Sequence, residues 1–306
     1  MCTGALIDME KAFDNIWIPG LIFKLSSFQF PLHQIILIYN MISNKKFEVF
    51  YQKYKSKNTF NIVNGLQQGT VNSPILFNIF ILDLLNKIEN IISFADDIII
   101  YHADNTIKKI NQNLQKTFNV VEKFTIDWNM KLNIQKCETI LFRPPVDKCN
   151  NNIKKNWKSF GIKSYINNTN IPNKQVVKYL GIYLDKFLYF NNHINETLTK
   201  ARKAFFIYKS LFYSRYIKSS VKIIMYKSLI RPIITYGCPI WFNISPSYME
   251  KIRLFERKCL RACTSLFRSP QSNYIKYVSN KQLYNASNII RIDNFIINLI
   301  RNNILR

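Results

Sequence analysis

Asn90 to His102, NIISFADDIIIYH, sets two adjacent carboxylates, Asp96 and Asp97, between two short apolar runs. Each run has strand length and is rich in isoleucine with aromatics, which predicts a β-hairpin with the acids at its turn. Two bare carboxylates side by side repel, and partial burial adds to the cost. A divalent cation, most often magnesium, relieves that cost. It accepts carboxylate oxygens and keeps waters and substrate phosphates as its other ligands. A solvated Asp-Asp turn is the alternative, and the hairpin alone does not choose between them.

Composition narrows the choice. The chain has 306 residues, 48% hydrophobic and 14% aromatic, enough to bury a sizeable core in one large or two modest domains. No apolar run approaches the roughly 18 residues of a membrane span. The start, MCTGALIDME, has no basic region followed by a long apolar one, so an intracellular protein of cytoplasm or nucleus, not secreted and not membrane-bound, is expected. Six cysteines lack paired short spacing and there are three histidines, which favours reduced thiols over a zinc site. The net charge is +25, and all of it lies behind residue 100: residues 1–100 carry 8 basic and 8 acidic side chains, residues 101–306 carry 35 and 10. A neutral, carboxylate-bearing front and a cationic back suggest a polyanion gripped by one part and worked on by the other. A generic basic surface is the plainer alternative.

Working outward from the hairpin, Ala5-Leu-Ile-Asp8 reads as a strand ending in a carboxylate. Pro19 and Pro31 each open a helix. KKFEVFYQKY alternates as one strand, with TFNIV as its partner. Gly65 and Gly69 make a loop in which backbone can approach a ligand, and Ser73-Pro74 starts a long apolar helix to about Lys87. An amphipathic helix follows the hairpin through Ile107, Ile110, Leu114, Phe118, Val121 and Trp128. Residues 133–142 read as a turn and a strand. Residues 144–174 show no period and read as a mobile surface insertion, with Trp157 and Phe160 as its anchors. VVKYLGIYLD, from Val176 to Asp185, reads as one strand with a glycine inside it.

From Asn195 the pattern turns helical. One stripe runs through Leu198, Ala201, Phe205, Tyr208 and Phe212. A second helix spans Val221 to Leu229 and is ended by Arg231-Pro232. A third is capped by Ser247 with Glu250 and runs to about Phe267, and a last helix or pair covers Ala286 to Ile304. Lys251, Arg253, Arg257, Lys258 and Arg261 are expected to form a cationic face on the third. Residues 195–306 hold 20 basic and 4 acidic side chains.

If the hairpin lies beside the first strand in one antiparallel sheet, Asp8, Asp96 and Asp97 meet at one edge. Two magnesium ions there would serve an in-line displacement at phosphorus, as in template-directed nucleotide polymerisation. The chain resembles the reverse transcriptase domain of a non-LTR retrotransposon of the jockey type. ALIDMEKAFDNIW is similar to that family's motif A, GLQQGTVNSPILFNIFILDL to motif B and SFADDIII to motif C. WNMKLNIQKCETILF resembles motif D and VKYLGIYLD motif E. LIRPIITYGCPIWF and FERKCLRACTS look like its thumb and C-terminal stretches.

The resemblance implies an α+β fold: a palm over residues 1–190, with a small antiparallel sheet backed by helices and an insertion at about 144–174, then a helical basic thumb over 191–306. It implies Asp8, Asp96 and Asp97 as ligands of two Mg2+ ions, with Mn2+ able to substitute. Phe13 becomes a steric gate against a ribose 2′-OH, and Gln68 and Gly69 the loop beneath nucleotide and template. Lys136 becomes a proton donor to pyrophosphate, and Tyr179, Leu180 and Gly181 a primer grip. For Phe13 and Lys136 an ordinary core phenylalanine and a plain surface lysine stay open. The implied partners are an RNA template, a DNA primer and deoxynucleoside triphosphates.

Gln67 stands where that family usually has proline. The chain also starts at motif A, so the fingers and endonuclease segments of a longer polyprotein are expected to be missing, along with the residues that clamp the triphosphate. The expected function is RNA-directed DNA synthesis, weak or absent in this truncated chain alone. A non-catalytic nucleic-acid-binding relic and a maturase-like splicing partner are the alternatives.

Overall fold

The computed structural model describes residues 1–145, 161–268 and 278–304. It is a mixed helix-and-sheet protein in two compact units, Met1–Leu180 and Gly181–Arg306, each with its own apolar core.

The first unit is built on a five-stranded sheet in the order β11 (Asn173–Lys174), β8 (Glu138–Phe142), β1 (Cys2–Ile7), β7 (Asp97–Ala103), β6 (Ile91–Phe94). β1 lies in the middle, antiparallel to both β7 and β8. β6 pairs with β7 as the expected hairpin. Its turn is Ala95-Asp96, and Ala95 takes φ 54°. A residue with a Cβ costs about 1 kcal/mol or more there, so the tight turn stores strain beside the two acids. Helix α1 (Ile18–Ser27) packs on α2 (Leu32–Ile42) and α3 (Asn72–Lys87), α3 packs on α4 (Ile107–Asp127), and α3 and α4 also pack on the sheet. The α4 stripe of Ile110, Leu114, Phe118, Val121 and Phe124 is buried, as its helical spacing requires.

No periodic pattern marked Lys24, which is buried on α1. Its ammonium donates to the Phe80 carbonyl, pairs with Asp83 at 3.0 Å and lies 3.8 Å from the Trp128 ring centre. Burial pulls its pKa down against the pull of Asp83.

Several expectations need correction. KKFEVFYQKY is not one strand: β2 (Lys45–Phe47) pairs with β5 (Phe60–Ile62), while β3 (Phe50–Tyr51) folds back on β4 (Tyr54–Lys55). Gln52, at φ 54°, makes the reversal that alternation alone cannot reveal. The insertion expected at 144–174 is structured where it is described. β9 (Tyr165–Ile166) and β10 (Thr169–Asn170) form a hairpin, and β11 (Asn173–Lys174) joins β8 in parallel as the sheet's edge. Ile162, Ile166 and Ile171 are buried and anchor it. The proposed anchors Trp157 and Phe160 lie outside the described residues. Val176–Asp185 is likewise split into β12 (Val176–Tyr179) and β13 (Ile182–Asp185), because Leu180 and Gly181 both take positive φ.

In the second unit the first helix is Asn191–Ile207, followed by a short one, Lys209–Tyr213. The helix expected to stop at Arg231-Pro232 continues from Ser219–Met225 through a π-turn, Tyr226–Ile230, into Arg231–Thr235. Pro232 is tolerated because it sits in the first turn of that last segment. The long helix Pro246–Thr264 has no Ser247–Glu250 capping box. Glu250 pairs instead with Arg253 at 3.3 Å and with Arg257. The capping box falls on Ser279 and Gln282, which open Asn280–Ser287, and Ile292–Ile304 is the last helix.

The cationic face expected on Pro246–Thr264 is therefore largely spent inside the unit. Arg253 also binds Asp293 at 2.6 Å, and Arg261 donates to the carbonyls of Leu266 and Val278, both at 3.0 Å. Glu256 on the buried side accepts from Tyr226 (3.1 Å), Tyr284 (2.7 Å) and the Ile292 amide (2.9 Å). Burial pushes its carboxyl up against the pull of these donors.

A stitched loop positions the site of the first unit. Gly65 N–H donates to the Ile16 carbonyl (2.9 Å) and Leu66 N–H to the Phe13 carbonyl (2.8 Å). Gly65 has φ +95°, and a Cβ there would overlap the Asp14 backbone; Gly69 has φ +87° and open space around it. Gly65→Ala is therefore expected to cost several kcal/mol, and Gly69→Ala only about 1 kcal/mol. Urea unfolding of the two variants tests this, and equal losses would contradict it.

Asp293 supplies a second test. Burial alone would raise its carboxyl, but the hydrogen bonds from Arg291 and Arg253 overcome that and hold it at about 2, below its ordinary 3.8. A depressed acid stabilises the fold above its unfolded pKa and loses that contribution as pH falls through the folded value. About 2 kcal/mol should thus disappear between pH ~4 and ~2. Chemical denaturation across that window should show the slope, and Asp293→Asn should flatten it.

Candidate active site

The site begins with the register of the central strands. Ile7 lies opposite Ile98, so the residues next in line are Asp8 and Asp97, with Asp96 in the turn beside them. Asp8 is fixed from the other side: Asn133 N–H donates to its carbonyl at 2.9 Å, and Met9 bridges Leu132. Burial, then the carboxylates of Asp96 and Asp8, push the Asp97 carboxyl above its ordinary value. The first acid and the later doublet are thus close enough to repel. Lys136 answers part of this charge, with its ammonium 3.7 Å from Asp8. Both partners are substantially exposed, so the pair contributes little to stability. As the side chains stand, no group of three or more His, Cys, Asp or Glu among the described residues is gathered closely enough to hold a metal ion. The donors present are carboxylate oxygens, the chemistry that suits a hard divalent cation such as magnesium.

Tyr179 ends β12. Its hydroxyl is buried and has no hydrogen-bond partner among the described residues. Burial, then the charge of Asp97, raise its pKa. Leu180 and Gly181 form the tight turn at which the chain passes from one unit to the other.

Phe13 is half-buried and stacks on Phe77 of α3, with ring centres 4.6 Å apart. Gln68 and Gly69 are exposed on the loop before α3. Gln68 donates to Asp14 at 3.1 Å, and Ser73 holds the loop by donating to the Gln67 carbonyl at 2.6 Å. The stitches from Gly65 and Leu66 therefore bring the motif A turn and the glycine loop together. Between them opens a cleft of about 730 Å³, lined by Asp14, Lys45, Lys46, Gln67 and Gln68 among others. Asp14, Lys45 and Lys46 carry no site signal in the sequence alone. Asp14 lies within the first block, but nothing in its spacing pairs it with Gln68. The two lysines sit in a strand that read as half-exposed surface.

A family model described as reverse transcriptase (RNA-dependent DNA polymerase) matches residues 2–184. The RNA-directed DNA polymerase from mobile element jockey of Drosophila melanogaster is 27% identical over 269 residues, covering 85% of this chain and 28% of that one. Its counterpart from Drosophila funebris is 28% identical, covering 84% and 28%. The chain thus spans about 28% of the length of these curated relatives. Among solved structures, telomerase from Candida albicans, in complex with a fragment of telomeric RNA, aligns over 91% of this chain and 52% of that one. It does so at 10% identity and a TM-score of 0.39, too loose a likeness to bear on the assignment. The family model takes in more than half of the sequence, including the strand pair that carries the three acids, and the chain belongs to the reverse transcriptase family.

Proposed function

We propose that this chain is the catalytic core of an RNA-directed DNA polymerase of a non-LTR retrotransposon, within a longer polyprotein. The first unit is its palm and the second its thumb. The observation that carries the reading is the β1–β7 register, which sets Asp8 against Asp97 beside Asp96 at one end of the sheet. Such an arrangement of acids is unfavourable until a cation shares it: burial first, and then the carboxylates of Asp96 and Asp8, raise the Asp97 carboxyl.

Asp8, Asp96 and Asp97 would hold magnesium, with manganese as a substitute. Held there, the ions would supply Lewis-acid activation of a primer hydroxyl and charge stabilisation of the leaving pyrophosphate. The chain's own residues do the rest. Phe13, held by its stack on Phe77, crowds the sugar of the incoming nucleotide and favours a deoxyribose. Gln68 and Gly69 offer an amide and an open backbone beneath nucleotide and template, with Gln68 oriented by Asp14. Lys136 neutralises Asp8 and carries an ammonium proton suited to pyrophosphate. Tyr179, Leu180 and Gly181 hold the primer end at the turn between β12 and β13. The RNA template and DNA primer follow from the same reading, and the net charge of +25 suits both.

Primer extension on an RNA template with magnesium, measured beside primer-template binding, tests the proposal. Asp97→Asn and Asp96→Asn should each cut extension by about 10² or more while binding stays within about twofold. Equal binding by all three proteins with extension by none would instead make the chain a non-catalytic binder.

A further inference from the structure

A groove of about 780 Å³ in the second unit lies between the helices Asn191–Ile207 and Lys209–Tyr213 and the long helix Pro246–Thr264. Two kinds of side chain meet there. Arg202, Lys203, Lys209 and Lys258 line it, all exposed and none in a recorded ion pair among the described residues. Phe205 and Phe255 form its buried floor, and Phe206 and Tyr213 stand at its surface, 72% and 42% exposed. Tyr213 is held from behind by a near-parallel stack on Phe267 at 6.3 Å.

The unit's acids do not answer these cations. Asp185 caps the amides of Phe187, Tyr189 and Phe190, while Glu250, Glu256 and Asp293 are bound by arginines and tyrosines of the unit's own framework. The remaining acid, Glu196, is exposed on the first helix and is not among the groove's lining residues. Positive charge therefore collects along a concave surface that also offers aromatic faces.

We propose that this groove binds unpaired nucleotides, their phosphates on Arg202, Lys203, Lys209 and Lys258 and a base stacked on Phe206 or Tyr213. Phosphate neutralisation alone would serve a duplex equally well. Stacking on an exposed aromatic face needs a base that is not already stacked in a duplex, so these faces beside the cations favour a single strand. An anionic lipid surface also suits a basic, apolar face, but it would seat on a projecting amphipathic face, whereas these aromatics line a concavity. The inference goes beyond polymerisation and does not rest on the three acids of the first unit.

Fluorescence anisotropy on the full chain tests it, with a labelled single-stranded 12-mer RNA, a blunt duplex of the same length and phosphatidylserine vesicles as probes. Phe206→Ala, at an exposed position, should leave the melting temperature unchanged and weaken the single strand about tenfold, with duplex affinity held. Lys203→Ala with Lys258→Ala should lower the salt dependence of single-strand binding by roughly one to two released counterions, whereas Lys281→Ala, outside the groove, should not. Single-strand affinity unmoved by Phe206→Ala, or equal losses on single strand and duplex, would overturn the assignment. So would a loss confined to vesicles, which would transfer the groove to lipid. Primer extension does not enter the readout, so either proposal can fail while the other stands.

Discussion

The register of two adjacent strands, β1 against β7, is the constraint on which the first unit depends. β1 runs between β7 and β8, and its register against β7 leaves Asp8 and Asp97 next in line just past the last apolar pair, Ile7 and Ile98. Apolar burial fixes that register, because a slip of one residue would turn the core face of β1 outward. The buried Ala5, Ile7, Ile98 and Ile100 thus hold together two charges that would otherwise separate. The strained turn at Ala95 keeps the third acid beside them. A stable frame thus keeps the three carboxylates in an arrangement that free side chains would avoid.

The same frame carries the neighbouring parts. Asn133 reaches the Asp8 carbonyl and draws the loop containing Lys136 toward the acids. Gly65 and Leu66 tie the glycine loop to the turn after β1, so Gln68 and Asp14 share a hydrogen bond across 54 residues of sequence. These links are mostly backbone to backbone. They survive many side-chain changes, whereas a Cβ at Gly65 would break them. The second unit adds a buried polar network to its apolar core: Glu256 joins two tyrosines and a helix amide, and Asp293 joins two arginines. Most of its acids are consumed in this framework, which leaves much of its cationic surface uncompensated.

The amino-acid sequence by itself determined the long periodic elements, the hairpin and the family. α3, α4 and the β6–β7 pair are legible because burial imposes a period on their side chains, and the three acids stand out because charge at the end of an apolar run is costly. Only the tertiary structure decided the rest. Short-range backbone reversals at Gln52 and Leu180 cut two apparent strands in half, and no side-chain period announces a positive φ on a residue other than glycine. Residues 161–174 look irregular, yet they supply the sheet's edge strand, because pairing partners distant in sequence leave no local mark. The cationic face of Pro246–Thr264 was overcounted for the same reason: whether an arginine meets solvent or an acid 40 residues away is settled by packing. The meeting of Asp14 with Gln68, and of Arg202 and Lys203 with Lys258 around one groove, likewise exists only once the helices and loops are in place.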